Sequence, residues 1–152
     1  MANVTTATIG RTRSSFGRLQ IAITVLVGVT ALVHLFLGVN MTMVLMGSPA
    51  DRAANGGTTM VAVLAFLFLS NFGSYMVLAT ALYIPVLRRF QRITRVLLIG
   101  DAALTIVAYF MTHLMIHMAH ASAVDPIGLF DKAVEVVLIV LLVIDSRSDP
   151  HD

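Results

Sequence analysis

Four apolar runs separated by short polar stretches set the pattern of this chain. The first runs from Leu19 to Met46, the second from Thr59 to Leu87, the third from Arg95 to His120 and the fourth from Ile127 to Ile144. About 20 apolar residues in a helix cross a bilayer, so each run is long enough to span one. Gly47 and Pro49 end the first run, and the Gly-, Pro- and Asn-containing segment 47–59 reads as a loop. A basic turn with Arg88, Arg89, Arg92 and Arg95 separates the second and third runs. Asp125-Pro126 is a helix-start signal, with Asp as N-cap and Pro at the first helical position. Only helices and closed barrels satisfy their backbone groups in lipid, and short loops favour antiparallel neighbours. The expected fold is therefore all-α: an antiparallel four-helix transmembrane bundle over residues 19–146.

Composition supports that class. The chain has 152 residues, of which 58% are hydrophobic and only 12% charged, against about 25% charged in soluble domains. There is no cysteine, which excludes disulfides, iron–sulfur clusters and thiolate chemistry. Residues 1–18 are polar and basic and are expected to form a cytoplasmic tail. The apolar run behind them is too long for the ~7–15 residues of a signal-peptide core. Residues 147–152 form a second polar tail. Eight of the ten Lys and Arg fall in these tails or in the second turn. The positive-inside rule then places both termini in the cytoplasm, in a bacterial inner membrane.

The polar positions inside the apolar runs carry the candidate chemistry. In the third run Asp101, Thr105, Tyr109, His113 and His117 recur every fourth residue, so they share one helix face. His34 lies within the first run, Asn71 and Tyr75 interrupt the second, and Glu135 lies within the fourth. Ionisable groups at membrane depth normally face the protein interior. At 1.5 Å per residue, His113, Glu135 and His34 fall roughly 10, 14 and 18 Å below the outer surface, so they can converge. Asp131 and Lys132, in the first turns of the fourth run, are expected to reach the headgroup region.

Several chemistries fit. His34 and His113 can be axial ligands to haem b. The same histidines with Glu135 and His117 can bind a transition metal. Asp101, Tyr109, His113 and Glu135 can relay protons. A purely structural network joining these groups to Asn71 or Tyr109 fits the same residues. Three functions stay open. The first is an accessory or assembly subunit of a larger membrane complex, without catalysis, resting on the small-residue surfaces Gly28/Ala31 and Ser70/Ser74. The second is a haem- or metal-binding redox protein using His34 and His113. The third is a small proton-linked transporter using Asp101 and Glu135, which at this size would work as a homo-oligomer. Lipid and other membrane subunits are the expected partners. Nucleic acid is not, since only the arginine turn favours it.

The stretches VLLIGDAALTIVAYF (residues 96–110) and DPIGLFDKAVEVVLIVLLVID (residues 125–145) resemble small four-span bacterial membrane proteins. The matching features are Ala103 to Ile106, Gly128, the Asp131-Lys132 pair and Glu135. The resemblance covers about a third of the chain. It implies the four-span fold and no particular function.

Overall fold

A computed structural model describes residues 17–119 and 126–148, without the side chains of residues 88, 113–119 and 148. Residues 1–16, 120–125 and 149–152, which hold most of the expected tails 1–18 and 147–152, lie outside the described residues. All the regular structure among the described residues is helical. Helix α1 spans Arg18–Met46, α2 Pro49–Ala54, α3 Thr58–Tyr83, α4 Gln91–Ala119 and α5 Pro126–Ser148, with a 3-10 turn at Pro85–Phe90 before α4. Three of these are long and apolar enough to cross a membrane: α1, α3 and the Gln91–Thr112 part of α4. Their outward faces carry large apolar side chains such as Phe36, Phe66, Val77 and Leu104, a surface compatible with a lipid bilayer. Helix α5 differs because Asp131, Lys132 and Glu135 interrupt its apolar sequence.

Local chemistry explains the ends. The second apolar run stops being helical at Tyr83, four residues before the expected limit. A residue preceding proline is pushed into extended backbone, and Ile84 before Pro85 has φ −74° and ψ 120°. The Gln91 side-chain amide then donates to the freed Leu82 carbonyl at 2.9 Å. The loop after α1 is also more ordered than expected. Ser48 caps α2, its hydroxyl accepting from the Asp51 backbone N–H at 3.2 Å, while its own backbone N–H donates to the Asp51 carboxylate at 3.0 Å. Hydrogen bonds from the Ser48 hydroxyl and backbone hold the Asp51 carboxyl below its ordinary pKa. Arg52 reaches back to the last carbonyls of α1, at Leu45 (3.1 Å) and Gly47 (2.5 Å). Gly56 and Gly57 both have φ +91°, a region open to glycine at no steric cost, which turns the chain into α3.

The four long helices pack in a ring: α1 on α3, α3 on α4, α4 on α5, and α5 on α1. Each neighbouring pair is antiparallel. Near the start of α1, the Gln20 carbonyl accepts from the Tyr83 hydroxyl at the end of α3, at 3.0 Å. Arg95, early in α4, pairs with Asp145, late in α5, at 2.8 Å. A core of Ile23, Val27, Leu82, Leu98, Leu138 and Leu142 fills this end of the ring.

The close approach of α1 and α3 occurs at Gly38, not at the small residues singled out in the sequence. A methyl group on Gly38 would meet Leu69 Cγ and Cδ2 at 2.8 Å and Leu69 N at 3.2 Å, whereas one on Gly28 meets nothing within 4 Å. Ser70 is exposed. Without a hydrophobic driving force in lipid, such backbone proximity is what holds helices together. Gly38→Ala is expected to destabilise the protein by about 1–3 kcal/mol through overpacking, and Gly28→Ala is expected to be neutral. Unfolding in mixed micelles followed by circular dichroism measures both. Equal effects would show that Gly38 is not a contact point.

Candidate functional site

The buried stripe of α5 explains where its charges go. Gly128, Asp131, Lys132, Glu135, Leu138 and Leu142 are all buried and recur at three- and four-residue intervals, one face of a helix. That face points into the ring. Asp131 and Lys132 are therefore not at the headgroups: they are 1% and 6% exposed, and Glu135 is fully buried. The expectation for the first two fails because their position on the helix face, and not only their depth, decides where they point.

All four long helices contribute to the centre they enter. From α1 comes His34, which is 1% exposed. Its Nδ1 lies 3.0 Å from the Thr30 carbonyl one turn earlier. A carbonyl only accepts, so Nδ1 carries the hydrogen. The Nε2 atom points the other way, at 3.9 Å from Asp131 Oδ2 and 3.8 Å from Glu135 Oε1. These are longer than a hydrogen bond. From α3 comes Tyr75, fully buried, whose hydroxyl donates to Glu135 Oε1 at 3.2 Å. The Phe68 and Tyr75 rings flank the imidazole, with centroids 5.9 and 5.7 Å away. From α4 comes Thr105, beside the Tyr75 hydroxyl and the Glu135 carboxylate.

Lys132 supplies the positive charge. Its Nζ lies 2.6 Å from Glu135 Oε2 and 3.0 Å from Asp131 Oδ2, so one ammonium bridges both carboxylates. Three charges this far from water cost several kcal/mol each in desolvation, which close pairing offsets only in part. Asp131 Oδ1 and the Thr30 hydroxyl are buried with no hydrogen-bond partner among the described residues.

Asp101 occupies a different position. It is half-buried near His34 and lines a groove between α3 and α4 with Gly73, Ser74, Gly100 and Leu104. Its Oδ2 also lacks a partner. The glycines leave the groove open toward the outer surface of the ring.

Of the residues chosen from the sequence, His34 and Glu135 are brought together, and Asp101 lies nearby. Tyr109 packs edge-on against Phe110, with ring centroids 5.5 Å apart. Asn71 is half-buried on α3. His113 and His117 belong to α4, but their side chains lie outside the described residues. Sequence reading missed the roles of Asp131, Lys132 and Tyr75. The available signal was the i, i+4 spacing of Asp131 and Glu135 and the position of Tyr75 in the polar interruption of α3. Comparison with known protein families, curated proteins and solved structures finds no match.

Proposed function

We propose that this chain is a small cation carrier of the bacterial inner membrane, with four spans, both termini in the cytoplasm and a cation site at the centre of the ring. One observation carries the reading: all four long helices send polar side chains into one centre, where two carboxylates, one imidazole and one ammonium are sealed from solvent. Ionisable groups this deep in a membrane protein mark ion or substrate pathways by default. The groove with Asp101 supports the reading, because it brings a third carboxylate to the outer surface of the same centre. The arginines at one end of the ring, Arg18, Arg89, Arg92, Arg95 and Arg147, support the cytoplasmic assignment of that end. The charges Asp131, Lys132 and Glu135 of α5 face its neighbours while Phe130, Val137 and Val140 are exposed, which supports counting it as the fourth span.

A second reading, an accessory subunit of a larger membrane complex, draws support from the open outer surface at Gly28 and the exposed Ser70, where another helix would pack closely. One experiment addresses both. The purified chain is reconstituted alone in proteoliposomes, and charge movement is recorded on jumps of protons, sodium or manganese. The carrier reading expects a current with at least one of these, lost in Glu135→Gln and reduced in Asp101→Asn. No current with any cation from folded protein, or a current that survives both replacements, removes it. Silence alone together with co-purification of a membrane partner favours the accessory reading.

A further inference from the structure

We infer that His34, Asp131 and Glu135 form a binding site for a divalent transition-metal cation, with the Lys132 ammonium as the internal counter-ion that such a cation displaces. This deepens the carrier reading by naming the class of cation, and it rests on that reading for its physiological sense. The geometry stands by itself.

Three donor atoms, one from each residue, lie within 4.8 Å of one another, and all three side chains are buried. The imidazole is set for ligation. Its Nδ1–H is spent on the Thr30 carbonyl, so Nε2 faces the carboxylates. Metal-bound histidines are oriented in this way, the second nitrogen donating to a carbonyl or carboxylate. A second hydrogen on Nε2 would not close the gap, because 3.8 and 3.9 Å exceed the ~2.7–3.2 Å of an N–H···O bond. One metal ion bonded to both neighbours at ~2.1 Å would hold them about 3.4 Å apart at a tetrahedral angle, so each pair need close by only about half an ångström to share one. The spacing therefore suits a shared metal ion better than a shared proton.

The surroundings fit as well. Ligating carboxylates are usually hydrogen-bonded in turn, and Tyr75 donates to Glu135 Oε1, the oxygen facing His34. Asp131 keeps one buried oxygen with no partner, which leaves it free to ligate through either oxygen. Two carboxylates balance a divalent charge. Lys132 meets Glu135 through the opposite oxygen, Oε2, and shares only Asp131 Oδ2 with the imidazole side. Its four-carbon stem is flexible enough to withdraw when another cation takes Asp131. One nitrogen and two carboxylate oxygens suit zinc, manganese or iron(II), and the set contains no thioether or thiolate that would select copper(I). Three protein ligands leave a coordination position open.

The test uses the full chain, purified without a polyhistidine tag, stripped of metal and titrated with Co²⁺ in mild detergent. One Co²⁺ per chain should bind, with visible d–d absorption, and Zn²⁺ should displace it while Mg²⁺ does not. His34→Ala and Glu135→Gln should each weaken binding about 100-fold. Lys132→Gln should tighten it about tenfold by removing the competing charge. Replacing His113, His117 and His120 together by alanine should leave binding intact. Folded wild-type protein that takes up no stoichiometric Co²⁺ overturns the inference, whatever the variants do. So does binding that survives His34→Ala and is lost in the triple variant. Co²⁺ binding without charge movement removes the carrier reading and leaves the metal site. Sodium-driven current without Co²⁺ binding does the reverse.

Discussion

Lys132→Met should be among the most damaging single substitutions in the protein, costing about 3–5 kcal/mol of stability. Methionine matches the length and much of the volume of the lysine stem, so packing changes little. What disappears is the ammonium 2.6 Å from Glu135 and 3.0 Å from Asp131. Two carboxylates are then left in one sealed space with no full positive charge against them, only the Tyr75 hydroxyl at 3.2 Å from Glu135 and His34 Nε2 at 3.8 and 3.9 Å. Removing one partner of a buried pair is costlier than removing both, because the survivor keeps its desolvation penalty. The double variant Lys132→Met with Glu135→Gln should therefore recover most of the loss, since one carboxylate remains with the imidazole. Unfolding of the four proteins in mixed micelles, read as a double-mutant cycle, gives the coupling directly. Additive losses would mean that Lys132 and Glu135 are not a pair. Saturating Co²⁺ should also restore stability to the Lys132→Met protein, because a ligand that binds only the folded form stabilises it by mass action.

Tyr75→Ala should cost about 4 kcal/mol, and Tyr75→Phe about 2 kcal/mol, by separate routes. Tyr75 is fully buried and reaches two neighbours, the His34 ring at 5.7 Å and Glu135 Oε1 at 3.2 Å. Phenylalanine keeps the ring and loses only the bond to the carboxylate. Hydrogen bonds to charged groups contribute about 1.5–3 kcal/mol. Alanine also deletes the ring. Lipid already solvates apolar groups in the unfolded reference, so the transfer contribution is small, but the cavity remains and costs about 24 cal/mol per Å³. The difference between the two variants therefore measures packing at the centre, and the Tyr75→Phe loss measures the hydrogen bond. If neither variant unfolds earlier than wild type, the four helices do not close on this residue.

Much of the architecture was legible in the residues. The apolar runs and their lengths announce helices of membrane-crossing size. The extended preference before Pro85 could have trimmed the second run to Tyr83, and Ser48 with Asp51 three residues later is a capping signature inside what read as a loop. His34 and Glu135 stood out as ionisable groups in apolar surroundings. Their meeting was inferred from depth alone, with an error of several ångströms. Depth cannot say on which side of a helix a residue lies relative to neighbours. For that reason depth points Asp131 and Lys132, one turn before Glu135, to the headgroups, whereas they lie with it in the centre. Gly38 does not stand out from Gly28 and Ser70 in the sequence, because a small residue marks a close contact only when another backbone is opposite.

The sequence by itself determined that the chain forms long apolar helices, read as four runs of membrane-crossing length, and that their interior carries ionisable groups; among the described residues, the structure makes three of the helices long and apolar enough for a membrane. These follow from local quantities: run length, turn residues and the cost of charge in an apolar stretch. Only the tertiary structure decided which of those groups meet. The faces of α1, α3, α4 and α5 are fixed by ring packing, and a rotation of one helix by a single residue turns its side chains through about 100°. That rotation is set by contacts between residues distant in the chain, such as Gly38 against Leu69 and Arg95 with Asp145. It places Lys132 between two carboxylates and aims the free nitrogen of His34 at both.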